Sequence, residues 1–146
     1  ASDVYKRQQP AEAILREIGE PRLRGMLRLA GYIPNSDLPA IYNRASAFLY
    51  TSLRESFGIP QLEAMACGTP VVTSATSAIP EVAGEGAILV DPTDPKAIAD
   101  ALLRLETDAA FRARQVAYGL ERVKRFSWEK TARHLLALYE SLGKTN

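Results

Sequence analysis

Two glutamates flank a stretch of chain whose residue types suit the binding of an anion. Glu55 lies in a polar turn after an apolar run, and Glu63 follows eight residues later within the pattern of a short helix. Between them, Gly58 allows the backbone to approach a ligand closely, and the first amides of a helix have no partner inside it. Those amides and the helix dipole favour a phosphate. The spacing therefore predicts a phosphate-sized site between the two carboxylates.

The two carboxylates are not expected to touch the phosphates, because like charges repel. If the segment between Glu55 and Glu63 were fully helical, their spacing would correspond to about 12 Å. This is about the distance between a sugar and a ribose that are joined by a diphosphate. We expect each carboxylate to accept hydrogen bonds from vicinal hydroxyls, as the acidic residue of dinucleotide-binding folds does with ribose.

Apolar runs alternate with helical patterns on both sides of this segment. Strands are predicted at residues 26–30, 47–50, 70–73 and 87–90, and helices at 11–18, 37–44, 60–66, 80–83, from 95 onwards, 108–125 and from 128 onwards. Ser36, Asp94 and Ser127 are predicted helix N-caps. Continuous apolar strands are typical of a parallel sheet that is covered on both faces. The pattern predicts a doubly wound parallel α/β domain, in which ligands bind beyond the carboxyl ends of the strands.

The composition excludes several classes of protein. The chain has 146 residues with 18 basic and 17 acidic side chains, so its net charge of +1 lacks the basic excess of nucleic-acid-binding domains. No apolar run approaches the roughly 20 residues of a membrane-spanning helix. The single cysteine, Cys67, cannot form an intramolecular disulfide and is predicted to be a small core residue. The single histidine, His134, is predicted to be structural.

The run from Glu55 to Val72 resembles the signature of the retaining family 4 glycosyltransferases, which have the GT-B fold. Further blocks resemble the C-terminal, donor-binding domain of that family in the same order: Gly31-Tyr-Ile-Pro34, Asp37-Leu-Pro39, Tyr42, the strand from Ala45 to Ser52, Ile79-Pro-Glu-Val82, Leu89-Val-Asp-Pro92 and Phe126-Ser-Trp-Glu129. A pair of glutamates alone would be weak evidence, whereas ordered blocks over residues 12–142 are specific. The resemblance implies a Rossmann-like domain with additional C-terminal helices.

The resemblance also implies a role for each site residue. It assigns the catalytic role and the hydroxyls of the donor sugar to Glu55, and the nucleotide ribose to Glu63. The backbone that binds sugar and diphosphate would belong to Ser56, Phe57, Gly58 and Ile59, and residues near the base would be Gly31 and Tyr32. Ser56 departs from the family, in which glycine is commonest, but a serine leaves the backbone amide available.

The implied reaction transfers a mannose- or glucose-like hexose from a UDP- or GDP-linked donor to an acceptor hydroxyl, with retention of configuration. It needs no metal and no cofactor, because helix amides and basic side chains neutralise the diphosphate. The implied partners are the nucleotide-sugar and, through an N-terminal domain, an acceptor glycan or lipid-linked sugar, but no nucleic acid. We expect a cytoplasmic role in glycan or exopolysaccharide biosynthesis, with peripheral contact at the inner face of the membrane left open.

The predicted domain organisation rests on the places where this sequence differs from the family's pattern. Residues 1–10 are polar and unlike the family's opening strand, so we predict a non-native or disordered segment there. Residues 11–146 are predicted to be a group 1 glycosyltransferase C-terminal domain without that strand. The basic residues that contact the diphosphate are expected upstream of Glu12. Because GT-B catalysis takes place between two domains, we expect the chain alone to be inactive.

Several alternatives stay open at this point. A non-catalytic α/β module of the receiver type would end a middle strand in a phosphoacceptor aspartate, but Thr51-Ser52 follow strand 47–50. A related GT-B phosphorylase or sucrose-synthase-like enzyme would share much of the donor site. Ser52 either contacts ligand or caps its own turn, and Tyr32 either stacks on a base or packs against the sheet edge. The basic residues between 108 and 133 form either a solvated face or a membrane surface.

Overall fold

The structure, a computed structural model, describes residues 25–143. The chain divides into two compact units, Ala1–Asn35 and Ser36–Asn146. The helix predicted over residues 11–18 and the segment 1–10 lie outside the described residues. The predicted division of the chain into residues 1–10 and 11–146 stays a prediction.

The second unit alternates helices and strands, as the apolar pattern predicts. Its elements in chain order are α1 (Leu38–Arg44), β1 (Phe48–Tyr50), α2 (Ile59–Ala66), β2 (Val71–Ser74), α3 (Ile79–Ala83), a 3₁₀ turn (Gly84–Gly86), β3 (Ala87–Val90), α4 (Pro95–Thr107), α5 (Ala109–Val123) and α6 (Trp128–Gly143).

The three strands form one parallel sheet in the order β1-β2-β3. Val71 of the central strand pairs with Phe48 on one side and with Ala87 on the other. Parallel strands require crossover connections, which here contain α2 and α3. The polar turns that follow the strands therefore emerge at one edge of the sheet.

Helices cover both faces of this sheet. Val71 packs into a cluster with Tyr42, Ala64 and Met65, whereas its neighbour Val72 packs on the opposite face, into a cluster with Leu105. Successive residues of a strand point to opposite faces, so both neighbours can be buried only when each face is covered. The predicted doubly wound arrangement is confirmed.

Side-chain caps begin the three C-terminal helices. The Asp94 carboxylate accepts hydrogen bonds from the amides of Lys96 at 2.9 Å and Ala97 at 3.1 Å. Asp108 and Ser127 cap α5 and α6 in the same way, through the amides of Phe111 and Lys130. These bonds satisfy amides that have no partner inside the helix.

The prediction of Ser36 as an N-cap is wrong. Asp37 occupies the N-cap position of α1, and no side chain caps this helix. The Ser36 hydroxyl instead donates to the Asp37 carboxylate at 3.0 Å. The predicted position is wrong by one residue, because serine and aspartate are both common N-caps and are adjacent in this sequence.

The strand predicted over residues 26–30 is also wrong. Gly25 and Met26 are helical, and residues 27–30 have no regular structure. Met26, Leu27 and Leu29 are exposed. An apolar run identifies residues that can pack, but a strand also needs a hydrogen-bonded neighbour, and none of the described strands pairs with this run.

The last helix, α6, has no buried residue among those that the structure describes. Trp128 at its start is 83% exposed, and its leucines are exposed too. Ion pairs on the helices support the solvated-face interpretation of the basic residues: Arg112 with Glu106, Lys124 with Glu121, and Arg133 with Glu129. Within residues 25–143, no helix is both long and apolar enough to cross a membrane.

Candidate functional site

Glu55 is held by two hydroxyl groups from the end of β1 and the turn after it. The Tyr50 hydroxyl donates to Glu55 Oε1 at 2.5 Å, and the Ser52 hydroxyl donates to the same oxygen at 3.0 Å. Among residues 25–143, no donor reaches Glu55 Oε2. One oxygen of the carboxylate is thus fixed by the protein, and the other can accept hydrogen bonds from a ligand.

Hydroxyl side chains from β2 and the turn after it fix the backbone of the same loop. Thr73 donates to the Tyr50 carbonyl at 2.9 Å, and Ser74 donates to the Ser52 carbonyl at 2.6 Å. Ser77 donates to the Glu55 carbonyl at 2.6 Å and accepts from the Glu55 amide at 3.3 Å. Sequence reasoning missed these residues, although a run rich in serine and threonine after a buried strand is a visible signal.

Of the two interpretations given for Ser52, ligand contact or capping of its own turn, the structure shows the second. Its hydroxyl lies 3.3 Å from the Arg54 carbonyl as well as 3.0 Å from Glu55 Oε1. It also reaches the carboxylate that is predicted to bind the sugar, so it contributes to the site through Glu55.

Glu63 lies on the exposed side of α2, one turn from the helix start. The Tyr42 hydroxyl, from α1, lies 3.3 Å from Glu63 Oε2 and donates to it. Tyr42 is itself only 8% exposed, and its carbonyl accepts a 2.6 Å hydrogen bond from the Thr69 hydroxyl. The second carboxylate is therefore also held through one of its oxygens by a tyrosine that the core immobilises.

Three consecutive amides, those of residues 57–59, stand at the start of α2. Gly58 is the N-cap and offers no side-chain cap, Pro60 has no N–H, and the Gln61 amide returns to the Gly58 carbonyl at 3.3 Å. In the described part of the chain, the amides of Phe57, Gly58 and Ile59 donate to no other group. Phe57 and Ile59 are exposed, whereas Gly58 is buried. Unpaired amides at a helix start favour an anion.

The Phe57 side chain packs against the protein. Its ring meets the Phe126 ring edge-on with the centroids 5.6 Å apart, and the Arg122 guanidinium lies 5.1 Å from the centroid of the Phe126 ring. One edge contact thus holds the Phe57 ring, which stays exposed, while its amide remains without an acceptor among residues 25–143. Ser56 is exposed beside it.

Replacing Gly58 with alanine is expected to destabilise the domain by about 1–2 kcal/mol. Gly58 has φ of +83°, and an added Cβ would lie 2.9 Å from Gln61 Nε2, whose side chain is fully buried. Urea unfolding followed by circular dichroism would measure the loss. Gly143→Ala is the matched control because nothing lies within 4 Å of a Cβ there. Equal stability of the two variants would contradict the expectation.

The other residues singled out in the sequence are Gly31, Tyr32, Cys67 and His134. Gly31 and Tyr32 belong to the other compact unit, so their proximity to a base stays a prediction. The Tyr32 side chain is 88% exposed. Cys67, predicted to be a small buried residue, is only half-buried at the end of α2, where it packs against the core. His134 is exposed on α6. Among residues 25–143, no three His, Cys, Asp or Glu side chains are grouped to hold a metal ion.

The two tyrosines make stability depend on pH in the alkaline range. Burial, together with the charge and hydrogen bond of Glu63, raises the pKa of Tyr42 from 10.0 to about 12. Burial and the hydrogen bond to Glu55 raise the pKa of Tyr50 likewise to about 12. The folded state thus prefers the neutral phenols, so this stabilisation is complete below pH 10 and is lost as the pH rises through 12.

We expect the free energy of unfolding to fall between about pH 10 and about pH 12, and to fall less in Tyr42→Phe and Tyr50→Phe. Urea unfolding at several pH values would measure this. Tyr118→Phe, at an exposed tyrosine of α5, is the control. A fall that is as steep in the two variants as in the wild type and the control would contradict the assignment.

The sequence and the fold of this chain have counterparts among known proteins. The family described as "Glycosyl transferases group 1" matches residues 11–122. The chain belongs to the group 1 glycosyltransferases. An O-antigen chain mannosyltransferase B from Escherichia coli is 42% identical over 118 residues, which are 81% of this chain and 31% of that protein. A D-inositol 3-phosphate glycosyltransferase from Corynebacterium urealyticum is 37% identical over 139 residues, which are 94% of this chain and 32% of that protein.

Solved structures show the same fold for this group 1 glycosyltransferase chain. A sucrose-phosphate synthase from Thermosynechococcus elongatus superposes with a TM-score of 0.79 at 33% identity, over 92% of this chain and 34% of that one. The C-terminal domain of a group 1 glycosyltransferase from Francisella tularensis gives 0.65 at 25% identity, over 78% of this chain and 60% of that one. The GT-B, Rossmann-like assignment is confirmed.

The group 1 chain spans about a third of the length of the two curated relatives, 31% and 32%. The similarity thus establishes the family of this chain, and the activity, substrates and partners of a whole enzyme are proposed below. The individual roles of the site residues are likewise predictions that the geometry supports.

Proposed function

We propose that this chain is the donor-binding part of a retaining, metal-independent glycosyltransferase that transfers a hexose from a UDP- or GDP-linked sugar to an acceptor hydroxyl. One observation supports it above the others. Two carboxylates, Glu55 and Glu63, are each held through one oxygen by a tyrosine, and three amides that find no acceptor among residues 25–143 lie between them in the sequence. A nucleotide-sugar has this order of groups: sugar hydroxyls, diphosphate, ribose hydroxyls.

In this proposal the donor lies across the start of α2. The diphosphate accepts hydrogen bonds from the amides of residues 57–59, and Glu63 accepts from the ribose hydroxyls. Glu55 accepts from hydroxyls of the hexose and keeps its anomeric carbon in place. Orientation of this kind converts binding energy into rate, because the reacting atoms are already aligned.

The chemical step breaks the bond between the anomeric carbon and the phosphate oxygen and forms a bond to the acceptor oxygen on the same face. The bonding electrons leave with the diphosphate, on which negative charge grows, and the proton of the acceptor hydroxyl passes to an oxygen of that departing diphosphate. Preorganised amides at the start of a helix stabilise such charge without reorganisation, and the dipole of α2 adds to the effect. Basic residues upstream of residue 12 are proposed to complete the neutralisation.

The acceptor is proposed to be a glycan or a lipid-linked sugar held by an N-terminal domain, so the chain alone is expected not to turn over. The mannosyltransferase relative favours a mannose donor. The likeness to sucrose-phosphate synthase favours, as a second candidate, a sucrose-synthase-like enzyme with a glucose donor. We propose a cytoplasmic location for the whole protein and leave peripheral contact at the inner face of the membrane open.

Calorimetric titration of the chain with UDP, GDP and ADP tests the proposal. We expect one of the three to bind saturably at one site per chain, and its nucleotide-sugar to compete for that site. The corresponding nucleoside is the matched control and should bind much more weakly, because it lacks the diphosphate. A chain that is folded by circular dichroism but binds none of the three would contradict the proposal.

A further inference from the structure

Three aromatic rings connect the two carboxylates of the site. The Tyr42 and Phe48 rings meet edge-on with centroids 5.2 Å apart, and the Phe48 and Tyr50 rings stack at 5.9 Å and 16°. At each end of this row, a tyrosine hydroxyl donates to a site carboxylate: Tyr42 to Glu63 and Tyr50 to Glu55. The row spans α1 and β1, so both carboxylates are attached to the same rigid part of the domain.

We propose that Tyr50 and Tyr42 are positioning residues for the donor, Tyr50 acting through Glu55 and Tyr42 acting through Glu63. The inference rests on the proposed function. Neither tyrosine needs to touch the donor. Each occupies one oxygen of its carboxylate and so directs the other oxygen towards the hydroxyls that the carboxylate is proposed to bind.

The rings can do this because they are already ordered. A glutamate side chain is flexible and loses rotamer freedom when it binds a ligand, whereas a carboxylate held in its bound orientation beforehand loses little. The Tyr42 and Tyr50 rings are fixed by their contacts with Phe48, and the Tyr42 backbone is fixed by Thr69. Both phenols stay protonated, and therefore remain donors, well above neutral pH because burial raises the pKa of each to about 12.

The two contacts differ in strength. The Tyr50 hydroxyl lies 2.5 Å from its carboxylate oxygen and the Tyr42 hydroxyl lies 3.3 Å from its own. Hydrogen bonds to an ionised carboxylate strengthen as they shorten. Ser52 donates a second, longer hydrogen bond of 3.0 Å to the same Glu55 oxygen, so the shorter Tyr50 contact is the stronger of the two. The sugar end of the site should therefore depend more strongly on its tyrosine than the ribose end does.

The test compares Tyr50→Phe and Tyr42→Phe, which remove a hydroxyl and keep the ring. Dissociation constants are measured by calorimetry for the nucleoside diphosphate that the wild type binds and for its nucleotide-sugar. We expect Tyr42→Phe to raise the dissociation constants of both ligands about threefold. We expect Tyr50→Phe to leave the nucleoside diphosphate unchanged and to weaken the nucleotide-sugar about tenfold, since each change removes one hydrogen bond to a charged group. Tyr118→Phe, at an exposed tyrosine, should change neither.

Double-mutant cycles separate positioning from general destabilisation. In the background of Glu55→Ala, Tyr50→Phe should have little further effect, and in the background of Glu63→Ala the same should hold for Tyr42→Phe. Ser52→Ala is a second variant that leaves the aromatic row intact, and it should weaken the nucleotide-sugar in the same direction as Tyr50→Phe. Thermal unfolding of each variant confirms that it is folded.

The outcomes distinguish this inference from the proposed function. If the wild type binds its nucleotide-sugar while Tyr50→Phe and Ser52→Ala bind it equally well, the positioning role is overturned and the proposed function stands. If the losses in the double variants simply add, the tyrosines act on the fold and not through the carboxylates, which also overturns the inference. If the folded wild type binds no nucleotide, the proposed function fails, and the inference fails with it.

Discussion

Replacing Glu63 with alanine is expected to weaken the binding of the nucleoside diphosphate by about 10- to 100-fold. The carboxylate is proposed to accept two hydroxyls of the ribose, and hydrogen bonds to a charged group contribute about 1.5–3 kcal/mol. The change also removes the acceptor of the Tyr42 hydroxyl, which would then have to find water. Calorimetric titration of the variant with the nucleotide that the wild type prefers would measure the loss.

The matched control for this variant is Glu81→Ala. Glu81 also lies on a short helix, α3, and is exposed, but it is not among the residues to which the donor site is assigned. The affinity of the Glu81→Ala variant for the nucleotide should equal that of the wild type. Equal affinities of Glu63→Ala and the wild type, or an equal loss in Glu81→Ala, would contradict the assignment of the ribose to Glu63.

Replacing Met65 with alanine is expected to lower the free energy of unfolding by about 2–5 kcal/mol. Met65 is 1% exposed and lies two residues after Glu63 on α2. An added Cβ at Gly86 would lie 3.2 Å from its sulphur, and one at Gly119 would lie 3.1 Å from its Cγ. The methionine therefore fills the space that two glycines leave between α2, α5 and the 3₁₀ turn, and its loss leaves a cavity. Urea unfolding followed by circular dichroism would measure the change.

Met26→Ala is the control of the same residue type, since Met26 is 79% exposed. We expect it to change the free energy of unfolding by less than about 0.5 kcal/mol, as substitutions at exposed positions usually do. If Met65→Ala were as stable as Met26→Ala, the result would contradict the claim that Met65 packs α2 against α5. The orientation of the helix that carries Glu63 would then be wrong as well.

The parts of the fold that depend on local pattern were predictable. Val71 and Val72 form a continuous apolar run, and such a run is typical of a strand with two covered faces. Asp94 followed by Pro95 marks the start of α4, because the carboxylate satisfies amides and proline needs none. The segment 26–30 has a similar apolar content and forms no strand. Its outcome depends on a neighbour in space, which no local pattern contains.

The same distinction applies to the candidate site. Glu55, Glu63 and the amides at residues 57–59 are close in sequence, so their spacing on a turn and a helix could be predicted. Tyr42 and Glu63 are 21 residues apart, and Ser77 and Glu55 are 22 residues apart. These contacts exist because the parallel sheet brings the ends of β1 and β2 together and α1 beside α2. They required the fold before they could be seen.

The most direct test of the proposed donor site is an amide chemical-shift titration of the ¹⁵N-labelled chain with its preferred nucleoside diphosphate. The account predicts saturable shifts at the amides of Phe57, Gly58, Ile59 and Glu63, with no comparable shifts along α6. Addition of the nucleotide-sugar should then shift Glu55 and Ser56 in addition. Saturable binding whose shifts spare residues 55–63 and map to another surface would contradict the central claim.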